Sequence, residues 1–196
     1  MSMASTVKLT NAILMGLFAS TLAIKGESLP LIAIPAISAS KYAYIYKSPD
    51  EVKQKAHYLS WFLTTPIMLW LIFSLNKLPF YMMAVLIALN QLMILSGYLA
   101  SVATEETLVW RWFWIGCLAF LPIIYQLLQF SEGFALVLLT LVTWSAYPVV
   151  WYLSKKNLMN DDIRDISYSV LDFTSKVGLV LLYLAEVGRL KLPSVF

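Results

Sequence analysis

Long apolar stretches alternate with short polar interruptions along all 196 residues of the chain. A helix needs about 20 predominantly apolar residues to cross a bilayer, and seven stretches reach roughly that length. The pattern predicts helices over 6–24, 29–46, 50–75, 79–103, 107–130, 133–153 and 161–190. A membrane β-barrel would instead show alternating segments of about ten residues. The sequence therefore predicts an all-α, seven-transmembrane-helix bundle, with residues 1–196 forming a single domain and consecutive helices lying antiparallel.

The composition also indicates a membrane protein. Hydrophobic residues make up 60% of the chain and charged residues 13%, whereas a soluble domain carries about 25% charged residues. We therefore expect an integral, multi-pass protein of the cell membrane that neither binds nucleic acid nor acts as an enzyme. The single cysteine, Cys117, and the single histidine, His57, exclude an intramolecular disulfide and a His-rich metal site. An alternative for residues 6–24 is a secretory signal peptide, which would leave six helices.

Ionisable residues inside the predicted spans are costly there and mark candidate functional sites. Asp172 and Lys176 are four residues apart in the last span and so lie on one helix face, and Lys41 lies in the second span. One interpretation is a buried ion pair that holds the bundle together. The other is a buried lysine that forms a Schiff base with an aldehyde, with the carboxylate as its counterion.

Aromatic and methionine side chains in the other spans favour the Schiff-base interpretation, because they suit a cationic imine and a long polyene. Such residues also form ordinary cores and interface belts, so they do not decide the question alone. The residues concerned are Trp61, Trp144, Trp151, Tyr42, Tyr147, Met68 and Met93.

Five segments resemble the motifs of one protein family and occur in its order. The third span contains His57-Tyr-Leu-Ser-Trp-Phe-Leu-Thr-Thr-Pro66, which is similar to a motif that usually reads Arg-Tyr-x-Asp-Trp-x-x-Thr-Thr-Pro. The last two spans contain Trp144-Ser-Ala-Tyr-Pro-Val-Val-Trp151 and Leu171-Asp-Phe-Thr-Ser-Lys-Val-Gly178, which resemble the sixth-helix signature and the retinal-lysine helix. The second and fourth spans contain Pro35-Ala-Ile and Met93-Ile-Leu-Ser-Gly97. By this resemblance the chain is identified as a member of the microbial (type I) rhodopsins.

The resemblance implies roles for individual residues. Lys176 would carry all-trans retinal as a protonated Schiff base, and Asp172 would be one of the family's two usual counterion carboxylates. Tyr42 and Tyr147 match tyrosines that hydrogen-bond this aspartate. The retinal pocket would be lined by Trp61, Thr65, Met68, Met93, Gly97, Trp114, Trp144, Tyr147, Pro148 and Trp151. The fifth helix, which carries Trp114, aligns only to within one residue. The implied partners are membrane lipid and small ions, and family members often form trimers or pentamers.

Departures from the family pattern bear on transport. The proton-acceptor position holds Ser60 and the proton-donor position holds Leu71, and neither side chain exchanges protons usefully near neutral pH. His57 replaces the usual arginine, and Arg164 stands where pumps often have glutamate. The resemblance thus implies that the protein is not a conventional outward proton pump. The ion path would include Ser60, Thr64, His57, Lys41, Tyr42, Arg164 and Ser175.

A neutral residue at position 60 resembles the pattern of anion-pumping and anion-channel relatives, although some cation-conducting relatives also lack the aspartate. We expect a light-gated ion channel, with anions slightly favoured over cations. The alternatives are a sensory photoreceptor without transport, a light-driven anion pump and a proton pump that uses unusual groups. Simpler roles stay open for two residues: Lys41 extends to the membrane surface, and Arg164 pairs with Asp161 or Asp165.

The chain is short on the side of the membrane that its C-terminal end faces. Residues 25–35 and 125–144 form shorter stretches than in relatives, so that about two helical turns are trimmed. This should admit water closer to the retinal, which suits a channel better than a pump. The family topology places this side in the cytoplasm, whereas the greater number of Lys and Arg residues on the N-terminal side predicts the opposite. We follow the family topology.

Overall fold

The computed structural model describes residues 2–190, and Met1 and residues 191–196 lie outside this described part. Seven α-helices and no β-strand make up residues 2–190. The helices are α1 (Met3–Ile24), α2 (Leu29–Ile45), α3 (Asp50–Leu75), α4 (Phe80–Val102), α5 (Glu106–Leu128), α6 (Phe134–Lys155) and α7 (Asp161–Glu186). The predicted all-α bundle is confirmed, and each predicted helix is found with ends that differ by at most four residues.

Local sequence features explain where α7 begins and ends. The side chain of Asn160 accepts a hydrogen bond from the backbone N–H of Ile163 at 2.8 Å and so caps the helix. Two aspartates follow in the first turn, where negative charge interacts favourably with the helix dipole. The helix ends at Glu186, earlier than predicted, because Gly188 adopts a left-handed conformation with φ 72°, which commonly terminates a helix.

Six of the described helices are long and apolar enough to cross a membrane. The seventh, α2, is apolar but has only 17 residues. At a rise of about 1.5 Å per residue it extends roughly 26 Å, which is slightly less than the hydrocarbon thickness of a typical bilayer. The α2 helix is therefore the shortest of the seven described helices.

The helix α7 contacts α1, α2, α3 and α6. The helices α3 and α7 are the most deeply buried of the candidate membrane spans, because half of the residues in the most apolar stretch of each are buried. The helix α5 packs closely against α4 and only lightly against α6. One face of α3 and one face of α7 therefore line the interior. The contact between α5 and α6 is the loosest between consecutive helices.

The interior differs between the two sides of the membrane. Toward the side that the C-terminal end faces, it is filled by the largest apolar cluster of the described residues. This cluster includes Leu22, Leu31, Leu71, Ile72, Phe73, Leu127, Leu136 and Leu184. The helices on this side close over packed leucine and phenylalanine side chains. Entry of water through this side stays a prediction and would require these side chains to move apart. Toward the N-terminal side the interior contains buried polar and charged groups.

Candidate functional site

The carboxylate of Asp172, in the middle of α7, is fully buried and accepts hydrogen bonds on both oxygens. Its Oδ1 accepts from Lys176 Nζ at 2.6 Å, one helical turn away, as the four-residue spacing predicted. The same oxygen accepts from the indole N–H of Trp61 at 2.9 Å and from the hydroxyl of Tyr147 at 2.6 Å. Side chains from α3, α6 and α7 thus converge on one oxygen atom.

The other oxygen, Oδ2, faces α2. It accepts a hydrogen bond from the hydroxyl of Tyr42 at 2.9 Å and forms an ion pair with the ammonium group of Lys41. The Lys41 Nζ also lies 3.2 Å from His57 Nδ1 and 3.7 Å from the centroid of the Tyr42 ring. The alternative in which Lys41 extends to the membrane surface is wrong, because only 3% of its side chain is exposed and its charge is neutralised inside the bundle.

This arrangement has more positive than negative charge. Two lysines contact one carboxylate, and no other carboxylate of residues 2–190 pairs with either of them. A carboxylate offers about four acceptor positions, and Asp172 receives five donors. Its hydrogen-bonding capacity is therefore fully used, and burial of the extra charge is unfavourable unless another group compensates for it.

A cavity of about 270 Å³ begins beside Lys176 and extends between α3, α4, α5 and α6. Its wall is predominantly apolar and aromatic. The predicted pocket residues that line it are Trp61, Thr65, Met68, Met93, Gly97, Trp144, Tyr147, Pro148 and Trp151. A Cβ atom on Gly97 would lie 3.0 Å from Cε1 of Tyr58, so glycine is needed for the close approach of these two residues.

The prediction for Trp114 is wrong. This side chain is 59% exposed on the outside of α5, whereas Phe113 lines the cavity and stacks on Trp151 with ring centroids 5.0 Å apart. Each residue turns a helix by about 100°, so an alignment error of one residue moves a side chain from the cavity to the lipid-facing surface. Sequence reasoning also left further cavity residues unassigned, three of them inside the quoted motifs (Tyr58, Ile94 and Ser145) and six outside them: Gly116, Cys117, Phe120, Leu121, Ile124 and Tyr168.

Three polar residues of α3 that were predicted for the ion path lie inside the bundle. Ser60, Thr64 and His57 are all buried. The Thr64 hydroxyl donates to the backbone carbonyl of Ser60 at 2.8 Å. Ser60 Oγ and His57 Nε2 have no hydrogen-bond partner in the described part of the chain. Ser60 therefore lies inside the bundle as predicted, next to a buried histidine on the same helix face.

Arg164 forms ion pairs at the N-terminal side of the bundle. Its guanidinium contacts Asp161 at 2.6 Å and Asp165 at 3.1 Å, so the simpler of the two alternatives for this residue is confirmed. Asp165 also pairs with Lys8, which is buried in α1, and lies 3.3 Å from Lys53. We refer to Lys8, Asp50, Lys53, Asp161, Arg164 and Asp165 as the outer ionic cluster.

Sequence reasoning missed two polar contacts within the bundle. Asn90 is fully buried in α4, and its amide donates to the Thr65 hydroxyl at 2.7 Å beside the cavity. The Lys8–Asp165 pair joins α1 to α7. A polar residue within an apolar stretch was the available signal in each case. Ser175 lines the cavity, where its hydroxyl lies 3.4 Å from that of Tyr147.

The structure is thus a seven-helix membrane bundle in which the lysine of a buried lysine–carboxylate pair lines an apolar cavity. The comparisons identify the family. The sequence model of the family described as bacteriorhodopsin-like protein matches residues 3–190. The chain belongs to this family of microbial rhodopsins. It is therefore an integral, multi-pass membrane protein, and members of the family bind retinal through a lysine Schiff base.

Individual relatives are similar over most of this chain. Archaerhodopsin-2 from Halobacterium sp. (strain aus-2) is 28% identical over 70% of this chain and 60% of its own length. Halorhodopsin from Natronomonas pharaonis is 32% identical over 81% of this chain and 61% of its own. The matches thus span about three fifths of these relatives. The crystal structure of the proton-pumping rhodopsin AR2 from Acetabularia acetabulum has the same fold, with a TM-score of 0.86, 22% identity and 96% coverage of both chains.

Proposed function

We propose that this protein is a retinal-binding photoreceptor in which Lys176 is the attachment residue, Asp172 is the counterion, and light opens or drives an ion path. One observation carries the proposal: Lys176 lines an apolar and aromatic cavity, and its amine lies 2.6 Å from a fully buried carboxylate. A primary amine can form a Schiff base with an aldehyde, and an adjacent carboxylate favours the protonated form of the product.

The residues of the cavity fit a long, flat, apolar aldehyde. Lys176 is the one lysine among the residues that line it, and Trp61, Trp144 and Trp151 supply flat aromatic walls. Retinal bound at this amine would supply a visible absorption band and a light-driven isomerisation. Trp61 and Tyr147 line the cavity and also donate hydrogen bonds to Asp172, so a change in cavity shape acts directly on the counterion.

Replacement of the lysine tests this proposal. Purified protein supplied with all-trans retinal is expected to absorb in the visible range, and hydroxylamine is expected to bleach it in the light. Lys176→Ala should form no visible pigment, whereas Lys55→Ala, which alters an exposed lysine of α3, should form it with the wild-type yield. A visible chromophore in Lys176→Ala at the native yield would refute the assignment.

Proton pumping by the usual route is disfavoured by the groups around this carboxylate. Ser60 has no useful basicity near neutral pH, and Leu71 is buried in the apolar cluster and has no proton to give. The remaining carboxylate, Asp172, is held by five donors. The fold shared with a proton-pumping rhodopsin therefore does not extend to the acceptor and donor groups that such transport requires.

Anions are favoured over cations as the transported species. Lys41 and Lys176 outnumber the single carboxylate in this part of the bundle, and a cation that entered it would be repelled. Ser60 Oγ and His57 Nε2 are buried polar atoms with donor capacity that is not used within residues 2–190. An anion near these atoms would compensate for the charge and satisfy the donors.

Both ends of the interior are closed in this structure, by the outer ionic cluster on the N-terminal side and by apolar packing on the other. An ion path must therefore open after light absorption. Photocurrents under voltage clamp with varied chloride distinguish the modes. A channel current reverses with the ion gradient, a pump current keeps its direction, and a sensory photoreceptor gives no current at any voltage.

A further inference from the structure

The two oxygens of Asp172 hold two different cations. Lys176, from the cavity side, contacts Oδ1, and Lys41, from α2, contacts Oδ2. The remaining donors divide in the same way, with Trp61 and Tyr147 on Oδ1 and Tyr42 on Oδ2. The single counterion is therefore shared between the proposed attachment residue and a second lysine.

Lys41 depends on this carboxylate. Its only ion pair within residues 2–190 is with Asp172, and its other close groups are the neutral ring of Tyr42 and the imidazole of His57. The ring face attracts the ammonium and adds to the hold on it. Lys8, a buried lysine of the neighbouring helix α1, is paired with Asp165 in the outer ionic cluster. Lys41 thus remains beside Asp172, because no other carboxylate of residues 2–190 pairs with it.

We propose that Lys41 is a positioning residue that shares Asp172 with Lys176, weakens the hold of the carboxylate on the Lys176 nitrogen, and thereby sets the colour of the pigment. A lysine ammonium near this nitrogen opposes positive charge on it and draws the carboxylate toward α2. With a protonated polyene Schiff base at Lys176, light absorption would move positive charge away from the nitrogen, so a nearby cation would lower the excitation energy. This inference rests on the proposed function, since colour requires a chromophore at Lys176.

Matched substitutions of Lys41 separate its charge from its volume. Lys41→Met keeps an unbranched side chain and removes the charge, whereas Lys41→Arg keeps the charge. We expect the absorption maximum of Lys41→Met to shift to shorter wavelength, because the carboxylate then acts on the Lys176 nitrogen alone. Lys41→Arg is expected to stay near the wild-type maximum, as is the exposed control Lys55→Met. If Lys41→Met absorbs at the wild-type wavelength, or if Lys41→Arg shifts equally, the charge of Lys41 does not set the colour.

A second measurement uses the retinal-free protein. Asp172→Asn leaves two buried lysines with no carboxylate within reach, so its thermal unfolding midpoint is expected to fall. Adding Lys41→Met to Asp172→Asn should restore part of that loss, because one of the unpaired charges is then removed. Adding Lys55→Met should restore none of it. Additive effects of Lys41→Met and Asp172→Asn would overturn the shared carboxylate, since residues that share a contact are expected to couple.

The absorption spectra and the thermal unfolding of the retinal-free variants test different statements. Absence of a visible pigment in the wild-type protein would overturn the proposed function, and the retinal-free cycle would still support or overturn the sharing of Asp172. The role of Lys41 would be refuted, and the proposed function left intact, by three results together. The wild-type protein forms a visible pigment, the effects of Lys41→Met and Asp172→Asn on thermal unfolding are additive, and Lys41→Met absorbs at the wild-type wavelength.

Discussion

Removal of the carboxylate of Asp165 is expected to destabilise the protein far more than removal of the ammonium of Lys8, although these two groups form one buried ion pair. Lys8 is 1% exposed, and its only ion pair within residues 2–190 is with Asp165. Asp165 has two further cations, Arg164 at 3.1 Å and Lys53 at 3.3 Å. Asp165→Asn therefore leaves a buried charge alone, whereas Lys8→Met leaves a carboxylate that is still paired.

The expected sizes follow from this difference. Breaking a buried ion pair so that one charge stays uncompensated costs about 3–5 kcal/mol, which is the range we expect for Asp165→Asn. After Lys8→Met the carboxylate keeps Arg164 and Lys53, whose side chains are partly exposed, so the loss should be near about 1 kcal/mol, as for partly exposed pairs. The difference between the two variants is therefore expected to be at least about 2 kcal/mol.

Unfolding in mixed detergent micelles, followed by tryptophan fluorescence, measures these free energies. The double variant Lys8→Met with Asp165→Asn should recover most of the loss of Asp165→Asn, because it contains neither charge. Asp161→Asn is a matched control, since it removes a carboxylate of the same cluster whose side chain is 71% exposed, and its effect should stay below about 1 kcal/mol. A loss in Lys8→Met equal to that in Asp165→Asn, or additive effects in the double variant, would refute the reasoning.

Two further predictions concern the spectrum of the pigment. Replacing chloride with sulfate should shift the wild-type absorption maximum, and Ser60→Asp should abolish this shift. The reason is that a fixed carboxylate repels a halide by about 4 kcal/mol at roughly 4 Å and an effective dielectric constant of about 20. A wild-type absorption maximum that does not change with chloride concentration would contradict the anion hypothesis. Phe113→Ala should shift the maximum and lower pigment yield, because Phe113 lines the cavity and stacks on Trp151. Trp114→Ala should do neither, and the reverse result would restore the original alignment of the fifth helix.

The fold was predictable because bilayer thickness sets the length of each apolar stretch, and the seven stretches could be read directly from hydropathy. The failure at Trp114 has a physical cause in the same helix. The polar residues of α5 lie toward its two ends, and the stretch from residue 112 to residue 124 contains no charged or amide side chain that would fix which face is buried. In α7, by contrast, Asp172 and Lys176 define the buried face, because a charge pair cannot face lipid without a large cost.

The contacts of Lys41 were beyond sequence reasoning for a different reason. Lys41 and Tyr42 are adjacent, so their Cβ atoms point about 100° apart on the helix. Helix periodicity therefore assigns the two side chains to different faces and does not predict that both contact Asp172. The flexible four-carbon stem of lysine allows its ammonium to pass over the Tyr42 ring and reach the same oxygen. The Lys8–Asp165 pair joins residues 157 positions apart, and no local pattern specifies which buried charges meet when α1 packs on α7.

The charges at Asp172 link the unusual residues of this chain to one another. With Lys41 and Lys176 both charged, the single carboxylate leaves one positive charge without a partner in residues around the site. A carboxylate in place of Ser60 would balance that charge with a fixed group, whereas under the proposed function a mobile anion would balance it. On that proposal the serine at position 60 and the lysine at position 41 act together: the lysine would supply the charge that attracts an anion, and the serine would offer its unused hydroxyl. This is why chloride dependence and colour should both respond to Lys41, and why neither should respond to an exposed lysine on α3.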